Sequence, residues 1–217
     1  MPRPIATSLP THDCPLCPRL AQFRIENRQK HGDWHNGPVP NFGNETAALL
    51  IVGLAPGLQG ANRTGRPFTG DYAGDLLYQT LLEADLAAGN YQRRPDDGLV
   101  LKNCRIINAM RCVPPQNKPT PAEIKTCNHF LLRDMSAMAN LRSVLALGSI
   151  AHEAVLAARG CRKSAYRFGH GAQHQLPDGL LLTDSYHCSR YNTNTNRLTP
   201  AMFREAVALA KQAAAIA

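Results

Sequence analysis

Two sets of residues have types and spacings that could do chemistry. Cys14 and Cys17 form C-x2-C near the N-terminus, and Cys112 and Cys127 form C-x14-C in the middle of the chain. Four thiolates so arranged can clamp one metal centre, either zinc or an iron–sulfur cluster, and spacing alone separates these poorly. The competing reading is four unrelated buried cysteines. The second set lies in Leu50 to Gly74, LIVGLAPGLQGANRTGRPFTGDYAG. It opens apolar and β-branched, then becomes a Gly- and Pro-punctuated loop holding Arg63, Arg66, Phe68 and Asp71. Loops of this length in a compact domain are usually functional.

These residues need a scaffold, and the chain has the material for one. At 217 residues it is long enough for a full core, with 44% hydrophobic and 18% charged residues. The net charge of +8 is weak evidence for a nucleic-acid partner, since a solvated basic surface looks the same. No apolar run reaches the roughly 18 residues of a membrane span, and the N-terminus lacks an apolar leader segment. A cytoplasmic protein is expected. Seven cysteines are an odd count for a disulfide framework, and Cys104 and Cys161 read as small buried hydrophobes.

Strands are expected at Ala47 to Leu54, Cys104 to Met110, Ser143 to Leu147 and Leu180 to Thr183. Helices are expected at Cys17 to Lys30, Asp75 to Ala88, Ile150 to Ala158, and from Thr199 and Pro200 nearly to the C-terminus. A further helix should begin at Thr120, with Thr as N-cap, Pro first and Glu123 three residues after the cap. Residues 1 to 13 read as a poorly ordered tail, and Gly160 to Gln175 as a ribbon or loop. Strands alternating with helices predict one α/β domain, an α/β/α sandwich on a mostly parallel four-stranded sheet. The loops after strands one, two and four should then meet at the carboxyl edge of the sheet.

GLAPGLQGANRTGRPFTGD (53–71), RCVPPQNKPTPAEIKTC (111–127) and SYHCSRYNTNTNRLT (185–199) resemble the uracil-DNA glycosylase superfamily. The match is to its family 5 branch, the B-type iron–sulfur enzymes, with every motif in order from Cys14 to the final helix. The resemblance implies a [4Fe-4S] cluster on Cys14, Cys17, Cys112 and Cys127. It also implies a monofunctional hydrolase that removes uracil, and other deaminated bases such as hypoxanthine, in base-excision repair. The partner is DNA containing the damaged base; no membrane association is expected, and the protein should be a monomer.

In the related family 4 branch an acidic residue stands at the position of Leu54, as in GEAPG. Leu54 cannot activate water, so the resemblance moves that role to Asp71. Breaking an N-glycosidic bond places positive charge on the sugar and negative charge on the leaving base. His187 is the candidate donor to the base, and Asn117 a further contact to water or pocket. Phe68 is the expected stacking surface for an extruded base. Gly53, Leu54, Ala55 and Gly57 are expected to cradle it with backbone N–H groups. Arg63, Arg66, Lys118, Arg190 and Arg197 are expected phosphate neighbours. Cys188 follows His187 where relatives usually carry an apolar residue, often Pro, which should leave the loop looser and the thiol open to oxidation. The rival reading is a non-catalytic nucleic-acid-binding module with a four-cysteine metal site; a second rival is a family 4 enzyme with narrow uracil preference.

Overall fold

The computed structural model describes residues 9–216. In order, the elements are α1 (Pro18–Lys30), β1 (Leu49–Gly53), α2 (Ala61–Thr64), α3 (Tyr72–Glu83), β2 (Ala87–Ala88), β3 (Val100–Leu101) and β4 (Cys104–Asn108). They continue as α4 (Pro121–Ala137), β5 (Ser143–Leu147), α5 (Ser149–Ala158), β6 (Gln173–Gln175), β7 (Leu181–Ser185), α6 (Arg190–Asn194) and α7 (Pro200–Ala213). The central sheet runs β4-β1-β5-β7-β6. Its first four strands are mutually parallel and are the four expected from the sequence.

β1 shows why the sheet is covered on both faces. All five of its residues are buried. Leu49 and Ile51 point into one apolar cluster with Leu77, Leu81, Phe203 and Val207 of α3 and α7. Leu50 and Val52 point into the other, with Leu131, Val155 and Leu156 of α4 and α5. Alternate side chains of a strand face opposite ways, so a continuous apolar run requires two helical layers.

Three expectations are corrected. A fifth strand, β6, adds antiparallel to the edge of the sheet. It is short and polar, and side chains add to its backbone pairing with β7. Asp184 on β7 is fully buried and accepts from His152 Nδ1 at 2.8 Å and from His174 Nε2 of β6 at 3.3 Å. α3 starts at Tyr72, three residues earlier than expected, because Asp71 caps it, accepting from Gly74 N–H at 3.2 Å. Of the expected tail, residues 1–8 lie outside the described residues. Residues 12 and 13 are tethered: Arg28 donates to Asp13 Oδ1 at 2.5 Å and to His12 Nδ1 at 2.6 Å.

β1 is the strand at which the order reverses, with β4 on one side and β5 on the other. In open parallel sheets the crevice at the carboxyl end of such a strand is where ligands bind. Gly53 ends β1 at that crevice. Among the described residues no helix is long and apolar enough to cross a membrane.

Candidate active site

The crevice is a cavity of about 300 Å³, whose walls include Leu54, Phe68, Asp71, Asn108, Asn117 and His187. Three loops meet there, as the element order requires. Gly53 makes the meeting possible. A Cβ on it would fall 2.5 Å from both Phe68 Cζ and Asn108 Oδ1. Phe68 is 6% exposed and has φ of +53°, a conformation rarely adopted by an aromatic residue. Its ring lies 5.9 Å from the His187 ring at an interplanar angle of 28°.

Asp71 occupies a helix N-terminus, where an anion is favoured. Burial nevertheless raises its pKa, with the N–H groups of Gly74 and Ala73 working the other way. Its Oδ2 lies where Gly57 and Gly60 have no side chains; a Cβ on Gly60 would come within 2.4 Å of it. Leu54, Ala55 and Gly57 line the same cavity, while Gly53 serves it from beneath by leaving room for Phe68.

His187 follows β7, and Asn192 Nδ2 donates to its carbonyl at 2.8 Å. Desolvation pushes the imidazole down to about 4, so the ring is neutral at pH 7. Its nitrogens make no hydrogen bond within the described residues, which leaves an N–H available to a ligand. Cys188 is fully buried and donates to the Ala73 carbonyl, with Sγ 3.4 Å from it. The expected looser loop and oxidation-prone thiol are therefore corrected: this buried thiol ties the His187 loop to the first turn of α3, a bond that proline cannot make.

The expected phosphate contacts divide. Arg63 and Lys118 are exposed, and Asn117 stands on the exposed rim with φ of +56°. Arg190 lies over the Tyr72 ring at 5.2 Å beside the cavity, and Arg197 over Tyr186 at 4.6 Å. Arg66 is elsewhere. It is 5% exposed, paired through both terminal nitrogens with Asp97 at 2.8 Å, and donates from Nε to Thr69 Oγ1 at 2.8 Å. It anchors the loop from within. The sequence reading also missed Asn108, a cavity residue only 3% exposed. Its signal was an amide side chain closing a strand at the carboxyl edge of the sheet.

Cys14, Cys17, Cys112 and Cys127 line one small cavity of about 20 Å³ between α1 and α4. Among the described residues the one set of three or more metal-ligating atoms within 4.8 Å of one another is His152, His174 and Asp184. No three of the four cysteine sulfurs therefore lie within 4.8 Å of one another. Burial, reinforced by the neighbouring cysteines, raises Cys17 to about 11 and Cys112 to about 12. Donors point at the sulfurs: Arg24 Nη1 reaches Cys112 Sγ at 3.8 Å and Arg111 N–H reaches Cys127 Sγ at 3.4 Å. Both arginines line the cavity, are at most 5% exposed, and keep a buried Nε–H without a partner.

The uracil DNA glycosylase superfamily model matches residues 40–211. A type-5 uracil-DNA glycosylase of Thermus thermophilus is 46% identical over 209 residues, covering 94% of each chain. One from Mycobacterium bovis is 42% identical over 209 residues, spanning 91% of this chain and 78% of the relative. One from Pyrobaculum aerophilum is 36% identical over 191 residues, spanning 86% and 83%. With matches of this breadth along a chain whose three loops meet at one sheet edge, the protein belongs to the uracil-DNA glycosylase superfamily, in its type-5 group.

Proposed function

We propose that the protein is a monofunctional DNA glycosylase that hydrolyses the N-glycosidic bond of uracil in DNA and so initiates base-excision repair. The observation that carries this reading is the convergence of Asp71, His187 and Phe68 on one cavity of about 300 Å³, the lower end of the range for small-molecule sites. A base extruded from the duplex enters that cavity and lies on the Phe68 ring. As the bond to the sugar lengthens, Asp71 faces the positive charge and orients water toward it. His187, neutral at pH 7, donates its N–H to the base as negative charge builds there. No side chain of the chain needs to form a covalent intermediate, because water is the nucleophile.

A broader range that includes hypoxanthine agrees with an apolar Leu54 at the strand end and a single buried amide, Asn108, within reach of a base edge. Arg63, Lys118, Arg190 and Arg197 are proposed to meet phosphates around the cavity mouth. The enzyme acts as a monomer in the cytoplasm in this reading.

The cysteine cavity is proposed to hold a [4Fe-4S] cluster on Cys14, Cys17, Cys112 and Cys127. N–H donors aimed at sulfur and the buried guanidinium of Arg24 suit a thiolate-bound anionic centre, and the cluster is preferred to zinc on the kinship with the iron–sulfur branch of the family. Such a cluster would be structural, joining the start of α1 to α4 and the loop before it; it contributes cross-linking rather than a step of hydrolysis.

The experiment is incubation with duplexes that each carry one modified base, followed by alkaline cleavage of abasic sites. Cleavage at uracil is expected first and at hypoxanthine next. An intact uracil strand after exhaustive incubation, with iron and fold verified, rejects the glycosylase reading in favour of a binding module.

A further inference from the structure

Phe68 is held in an unusual backbone conformation, and such conformations persist where the surroundings over-determine them. The surroundings come largely from a segment with no role so far, the loop between β2 and β3. Tyr91 Oη donates to the Phe68 carbonyl at 3.2 Å and accepts from Gly70 N–H at 3.4 Å. One hydroxyl thus spans the backbone between the stacking ring and Asp71. Beside it, Tyr78 Oη donates to the Pro67 carbonyl at 2.6 Å. The Phe68 carbonyl passes so close to α3 that a Cβ on Gly74 would fall 1.7 Å from its oxygen.

Below this lies Arg66. Its guanidinium sits 5.0, 5.4 and 5.9 Å from the rings of Phe42, Tyr78 and Tyr91. Its partner Asp97 is fixed in turn, accepting from Gln92 N–H at 2.9 Å and Leu99 N–H at 3.1 Å. The loop that carries Tyr91 is therefore folded around Asp97, and Asp97 is locked to the loop that carries Phe68.

We infer that Tyr91 is a positioning residue for base excision: with the Arg66–Asp97 pair as its base, its hydroxyl sets the backbone that relates the Phe68 ring to the Asp71 carboxylate. The inference rests on the glycosylase reading above. Two groups that act on one nucleotide, one on the base and one beside the sugar, must keep a fixed separation, and only two residues, Thr69 and Gly70, separate them in the chain. A displacement of about 1 Å at such a site can lower a rate by about 10²-fold.

Tyr91→Phe keeps the ring against Tyr78 and Arg66 and removes only the hydroxyl. Single-turnover excision of uracil at saturating enzyme, well below the melting temperature, should fall about tenfold per folded molecule. Amide exchange at Gly70 should quicken by a similar factor, because that N–H loses its acceptor. Arg66→Lys, which keeps charge but loses the two-pronged pairing, should also slow excision, and the double variant should be less than additive. Excision within twofold of wild type in Tyr91→Phe, or a loss matched by the unfolded fraction, overturns the inference. Unchanged Gly70 exchange overturns it too. Wild-type protein inactive on uracil DNA rejects the glycosylase reading instead, and the exchange measurement still decides whether Tyr91 orders this backbone.

Discussion

Gly53→Ala tests the site through one methyl group. Gly53 does not have a positive φ, so alanine fits its backbone, and alanine is no worse than glycine in a strand. The effect must come from the space the methyl group takes. Its Cβ would lie 2.5 Å from Phe68 Cζ, 2.7 Å from Phe68 Cε2 and 2.5 Å from Asn108 Oδ1. Ordinary contact begins near 3.4 Å, so ring and amide must each retreat by about 1 Å. The ring has little freedom, being 6% exposed on a backbone of unusual geometry. Overpacking of this kind costs about 1–3 kcal/mol, which for a domain of this size lowers the melting midpoint by roughly 2–12 °C. The catalytic cost should be larger than the stability cost suggests. Displacement of the stacking surface by about 1 Å lowers excision by about 10²-fold, equivalent to about 2.7 kcal/mol in the barrier. Single-turnover excision at 25 °C, beside calorimetric melting, separates the two effects. A folded Gly53→Ala protein that excises uracil within threefold of wild type refutes the placement of Phe68 in the reacting site.

Asp71→Asn should leave the melting midpoint unchanged or slightly raised, since asparagine caps a helix as well as aspartate and a buried charge is removed, yet turnover should fall at least about 10²-fold. A rate within tenfold of wild type rejects the water-handling role. Because burial raises the Asp71 pKa, the reactive carboxylate is lost as pH falls through a value above the ordinary aspartate range, so the acid limb of turnover should lie above that of a solvated Asp. His187 stays neutral down to about 4 and should add no limb between about pH 5 and 8; a limb there that His187→Gln removes contradicts its environment. Purified protein should be brown and contain iron, and Cys112→Ala should lose colour and iron together; a colourless protein loaded with zinc refutes the cluster. Binding to DNA should weaken steeply with salt, and Arg63→Ala should reduce the slope whereas Asp97→Asn should not.

The parallel strands were legible because burial on both faces writes a continuous apolar run, as in Leu49–Gly53 and Ser143–Leu147. Asp71 was reached through the resemblance of the motif that it ends, GLAPGLQGANRTGRPFTGD, and the four cysteines by their spacing. What escaped depended on contacts distant in sequence. Arg66 reads as an exposed cation until Asp97, in another loop, is found beside it. Tyr91 and Asp97 lie in a polar stretch whose local pattern says only that it is a loop. β6, with the sequence QHQ, has no apolar alternation to announce a strand; backbone pairing with β7 and a carboxylate on that strand hold it. The early start of α3 was hidden by Gly74, a poor helix former, which is present for the close passage of the Phe68 carbonyl.

The buried bond from Cys188 to Ala73 joins the two halves of the site, one carrying His187 and the other Asp71. Since the thiol is wholly enclosed, an alkylating reagent reaches it only when those halves part. The labelling rate at Cys188, read by peptide mapping, is therefore a clock for the opening of the active site in the native protein. A DNA product that bridges both loops slows that clock, and the ratio of the two rates measures how firmly the bound duplex holds the enzyme closed.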